Sequence, residues 1–173
     1  GRRRPRRRPR GEASASSLRW TVPAVSLAGL LHRAGALVGS RAVVKLDIEG
    51  LEYDVLMGSA RDLPKLKERV ALFLVDIHPA ALLARGQREQ DLVSLLLMAG
   101  YTCLAAQWGR DNSVPVVKPA AEVSPWPEDA VLLAVNQKML GLSSEDLREL
   151  PSRVFLAMQV LWPDAGEASR SDA

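Results

Sequence analysis

The chain has no run of about 18 uninterrupted apolar residues, the length a membrane-spanning helix needs, and no apolar segment of signal-peptide type follows its N-terminal arginines. A soluble chain with no membrane partner is therefore expected, with the cytoplasm as the favoured compartment. Cysteine is almost missing. The single Cys103 excludes an internal disulfide and any cysteine-rich zinc site, and its expected role is that of a small buried apolar group on a strand. A net positive charge is also missing outside one place. Taking the seven arginines of residues 1–10 from the net +3 leaves −4 for the rest, so the body offers no electrostatic reason for a nucleic-acid face.

What is present is enough for one core. At 173 residues and 47% hydrophobic content the chain reads as an arginine-rich tail and linker (1–17), one domain (18–140) and a helical extension with a frayed end (141–173). The tail has no apolar residue to bury and repels itself. It is either a polyanion-binding or nuclear-localisation arm or an ill-defined chain end, and the second is favoured. Nucleic acid is an expected partner through that arm alone.

Within the domain the apolar pattern alternates between strands and helices. Alternation from Leu18 to Leu27 reads as an edge strand limited by Pro23, and Ser26 as the cap of a short helix through Leu31. Residues 42–46 and 70–77 are short apolar runs of the kind that buried parallel strands require, and a helix is expected from Leu51 to about Ala60. A helix over residues 91–99 stops at Gly100, and a strand over 101–105 follows. Residues 107–129, with four prolines and with Trp108 and Trp126, read as a long irregular loop. The tryptophans are expected to pin that loop to the body rather than to stack on a ligand. Residues 130–136 form a fourth buried strand, and a capping-box-like start at Ser143 opens a helix broken near Pro151.

The chemistry concentrates where two of these strands end. Asp47 and Glu49 leave the first strand two residues apart, and Gly50 permits a sharp turn into the helix that Glu52 opens. The second strand releases Asp76 and His78 ahead of Pro79. In an open α/β sheet, the crevice beyond the carboxyl ends of parallel strands is where ligands sit. Asp47, Glu49, Asp76 and His78 are thus the candidate catalytic residues, with His78 a candidate general base because imidazole exchanges a proton near neutral pH. A turn histidine bonded to local backbone is the competing reading. His32 has no such company and is expected at a helix surface.

Lys45-Leu46-Asp47-Ile48-Glu49-Gly50-Leu51-Glu52, followed by Val55, Leu56 and Gly58, resembles the K-I-D-V-E-G-x-E signature of FkbM-type methyltransferases. The resemblance covers about residues 22–136, and the last strand of that family commonly ends in an asparagine, as this one does at Asn136. It implies a Rossmann-like class I methyltransferase fold of the α/β class, built on a parallel sheet, with S-adenosylmethionine as cofactor. The acceptor it implies is a hydroxyl of a sugar or small metabolite, with Asp47 and Glu49 lining its side and Asp76 orienting His78. Two features depart from the pattern. Ala28 and Gly29 stand where that family has paired acids, and no G-x-G-x-G turn occurs to cradle the cofactor. The implied fold is therefore incomplete, lacking its first strands and the cofactor turn. The alternative is a truncated or degenerate methyltransferase fold that serves as a non-catalytic binding or scaffold module.

Overall fold

The computed structural model describes residues 23–34, 41–107, 116–127 and 130–161. The arginine arm, Trp108, the frayed C-terminus and residues 18–22 of the strand expected from Leu18 to Leu27 lie outside them; the rest of that stretch is no strand, since residues 23–26 are irregular and Leu27 already opens a helix. Five strands form one sheet in the order β1-β2-β5-β3-β4. They are β1 (Ala42–Leu46), β2 (Val70–Asp76), β3 (Thr102–Gln107), β4 (Val116–Pro119) and β5 (Ala130–Val135).

The architecture is an open α/β sheet compatible with a Rossmann-like fold, but the sheet is mixed where the sequence led us to expect a parallel one. β1 and β2 are parallel, while β5 runs antiparallel to both β2 and β3. The cause lies in the connection expected to be irregular. Residues 116–119 pair back along β3 as β4, a 3-10 turn follows at Ala120–Glu122, and the chain re-enters the sheet at Ala130 opposite Gln107. Entering at the carboxyl end of β3, the last strand has only the antiparallel direction open to it. Trp126 is buried, and its Nε1 donates to Gln90 Oε1 at 3.2 Å, so it pins this connection to the helix beneath, as expected.

Alternating side chains of the strands feed two cores. Val44, Phe73, Val75, Cys103, Ala105, Leu132 and Ala134 face one side. That side is covered by α1 (Leu27–Arg33), α2 (Glu52–Gly58), α3 (Leu63–Leu66), α4 (Pro79–Ala84) and α5 (Glu89–Met98). Leu72, Leu74, Leu133 and Val135 face the other, beneath α6 (Gln137–Leu140) and α7 (Ser144–Leu161). The second layer stops short of β1, where Val43 is 61% exposed.

Helix starts follow local chemistry. Ser26 caps α1 by accepting from Gly29 N at 3.1 Å, and His32 lies exposed on that helix. Ser143 and Asp146 exchange bonds at the start of α7: Asp146 Oδ2 accepts from Ser143 N and Asp146 N donates to Ser143 Oγ. α7 continues through Pro151 instead of breaking there. Packing of Leu147, Leu150 and Val154 onto the sheet outweighs the one backbone bond the proline forgoes.

Candidate active site at the carboxyl ends of two parallel strands

β1 and β2 are parallel neighbours with Leu46 beside Val75, so their exit loops leave the same edge of the sheet side by side. β1 ends at Leu46, one residue before the acids, and Asp47 to Gly50 form a turn. Glu49 takes φ 55° and Gly50 φ 93°, both in the left-handed region. Glycine occupies that region freely; for glutamate it costs about 1 kcal/mol. The convergence of carboxylates expected from two-residue strand spacing therefore arises from a strained turn.

Gly50 has a second constraint. A Cβ there would lie 2.5 Å from Ala81 Cβ, so the turn packs directly on the first turn of α4. That contact fixes the β1 exit loop against the β2 exit loop. His78, the residue immediately before α4, then meets the acids.

Glu52 organises the cluster. It is fully buried, and its Oε1 accepts from Ile48 N at 3.1 Å and Gly50 N at 3.2 Å, closing the turn that precedes its own helix. The same oxygen stands 3.3 Å from His78 Nδ1, while His78 Nε2 faces Glu49 Oε2 at 3.4 Å. Oε2 of Glu52 is buried with no hydrogen-bond partner. With Nδ1–H donated to Glu52, the Nε2 lone pair of His78 is directed to the outer side of the cluster.

The remaining acids surround this axis. Asp47 is exposed and pairs through Oδ2 with Lys45 Nζ at 2.7 Å. Asp76, at the end of β2, is partly buried, and burial raises its carboxyl above the usual carboxylate range. The nearby Asp47 charge adds to the rise, against the opposing pull of His78 and Lys45. One ligand atom from each of Asp47, Glu49 and His78 lies within 4.8 Å of the others.

All four residues singled out from the sequence thus stand at one edge of the sheet, and Asp47, Glu49 and His78 converge. Asp76 does not hold the His78 ring; the contact expected of it belongs to Glu52. The sequence placed Glu52 only as a favourable charge at a helix start. Its spacing three residues after Glu49, across a glycine turn, is the signal that could have brought it into the site. Asn136 lies elsewhere: β5 ends opposite the start of β2. Its side chain accepts from Met139 N at 3.1 Å and donates to Lys67 O at 2.6 Å, which is structural work.

Neither of the two cavities described opens on the cluster. One of about 150 Å³ lies between β3, β4 and the 3-10 turn, bounded by Val116, Lys118, Glu122 and Pro125. The other lies between β4 and α7, bounded by Val117, Pro119, Leu147 and Arg148. At the acid–imidazole cluster Asp47 and Glu49 are exposed and His78 is partly buried. No protein-family model matches the chain, and no match was found among curated proteins or among solved structures.

Proposed function

We propose that the chain forms the acceptor-side part of an S-adenosylmethionine-dependent methyltransferase that acts on a hydroxyl of a sugar or small metabolite. One observation carries this reading. The signature acids Asp47 and Glu49 converge with His78 at the ends of two adjacent parallel strands, and buried Glu52 sets the ring so that Nε2 faces outward.

The fit to the cofactor is one of charge. Asp47, Glu49, Glu52 and Asp76 outnumber Lys45 and His78 at this edge, and an acidic crevice suits a sulfonium. Gly50 supplies no cradle, because Ala81 fills the space beside it and Glu52 takes the turn's N–H groups. S-adenosylmethionine, when bound, supplies an electrophilic methyl group. The chain's own part is to hold an acceptor hydroxyl and take its proton. Nε2 of His78 accepts that proton while Glu52 keeps Nδ1–H in place and offsets the imidazolium charge that results. Glu49 and Asp47 offer acceptor oxygens to neighbouring hydroxyls, which fixes the orientation on which much of the rate depends.

Hydrogen exchange with and without S-adenosylmethionine tests the placement. Slower exchange confined to the loops at residues 47–52 and 76–79 is expected; protection elsewhere, or none, contradicts it.

A non-catalytic binding module is the second reading. The turn after β1 favours it, because Glu52 takes its N–H groups and Ala81 closes the space beside Gly50. A folded chain that leaves cofactor unbound is its signature.

A further inference from the structure

We propose that Asp47, Glu49 and His78 form a divalent transition-metal site, with Glu52 as the residue that positions the histidine. The ligand atoms lie within 4.8 Å of one another, and His78 Nε2 and Glu49 Oε2 are already 3.4 Å apart. Ligands about 2.1 Å from a common ion stand roughly 3.0–3.4 Å from each other, so that pair has chelating separation now. Asp47 must close by up to about 1.4–1.8 Å, and as an exposed side chain it has the rotamers to do so.

The independent indication comes from the buried side. Glu52 is fully buried, one of its oxygens has no partner, and the other meets Nδ1 of the histidine. A carboxylate behind a ligating imidazole is the arrangement that fixes the tautomer of a metal-bound histidine and raises its basicity. With Nδ1–H directed to Glu52, the lone pair of Nε2 and an oxygen of Glu49 confront each other as two acceptors. A cation between them removes that repulsion. Lys45, whose ammonium is 2.7 Å from Asp47 Oδ2, is the resident positive charge and competes for that one oxygen.

The donor set selects the metal. One imidazole with two carboxylates suits Mn²⁺ or Zn²⁺, whereas Mg²⁺ and Ca²⁺ take oxygen ligands alone. Water completes the coordination on the open side. The site needs only these side chains and does not rest on the methyltransferase reading. The ion and a substrate proton compete for one lone pair, so His78 is a ligand in the loaded chain and a base in the ion-free one.

Titration of the full chain into Mn²⁺, followed by loss of the free-ion paramagnetic resonance signal, tests the site. One ion per chain is expected, with micromolar affinity, displaced by Zn²⁺ and unaffected by equimolar Mg²⁺. Asp47→Asn and His78→Gln should each weaken binding at least about tenfold, and Glu52→Gln about 10–100-fold with the melting temperature retained. Lys45→Met should tighten it. Glu149→Gln, which alters an acid paired with Arg153 on α7, should change nothing. An unchanged free-ion signal overturns the proposal, as does binding that Asp47→Asn and His78→Gln leave intact, which would mean an adventitious ion on surface acids only. Cofactor binding plays no part in these readouts, so either proposal can fail alone.

Discussion

Two residues at the β1–α2 turn and one on β3 carry constraints that differ in kind. Gly50 combines a left-handed φ with a space that Ala81 closes at 2.5 Å. Gly50→Ala should therefore destabilise the fold by about 3 kcal/mol, measured by denaturant unfolding; a loss under about 1 kcal/mol would mean the turn yields. Glu52 is buried under two backbone N–H groups. Glu52→Ala strands both donors and should cost about 3 kcal/mol, whereas Glu52→Gln keeps an accepting oxygen and should stay within about 1 kcal/mol of the parent. Equal losses in the two variants would contradict the capping role. Cys103 is buried on β3, and burial pushes its thiol up to about 12. A thiol reagent at neutral pH should leave it unmodified in the native chain and react with it in denaturant. Rapid native labelling would contradict its place in the core. Its burial was legible from one cysteine in an apolar run. The pairing of Glu52 with His78 was not, since it joins residues 26 apart through a turn whose strain no local pattern reveals.

Among the elements, α2 is tied to the α4–α5 connection by one exposed group. Asp54 accepts from Arg85 and, at 2.7 Å, from Gln87, and the side-chain bond from Arg85 chiefly holds its carboxyl below the usual carboxylate range. A carboxyl lowered in the folded state adds stability above its unfolded value, near pH 4, and that stability fades as pH falls through the folded value. The melting-temperature gap between the parent and Asp54→Asn should accordingly be open at neutral pH, close under acid and shrink in high salt. A gap independent of pH would contradict the linkage. Element types were readable wherever one period dominated: β1, β2, β5 and α5 stand within a few residues of where apolar spacing puts them. Residues 116–119 were not, because an exposed four-residue edge strand ending in Pro119 shows no alternation to read. α7 passes Pro151 since tertiary packing, invisible in one segment, decides the matter.

For the whole molecule, the order of strands is what places the chemistry. Two parallel neighbours bring Asp47 and His78 to one edge, and the antiparallel return of β5 seals the other flank of β2. The sequence pointed to α/β layers and to that edge through its acids and histidine. It did not disclose the mixed sheet, because strand direction depends on where a connection re-enters. On the proposed function, this edge belongs to a methyltransferase site. Calorimetric titration of S-adenosylmethionine into the full chain, with cooperative thermal unfolding as the check on folding, decides it. A methyltransferase site predicts micromolar binding that Asp47→Asn weakens; a cooperatively folded chain that binds none would contradict it and leave the binding-module reading in its place.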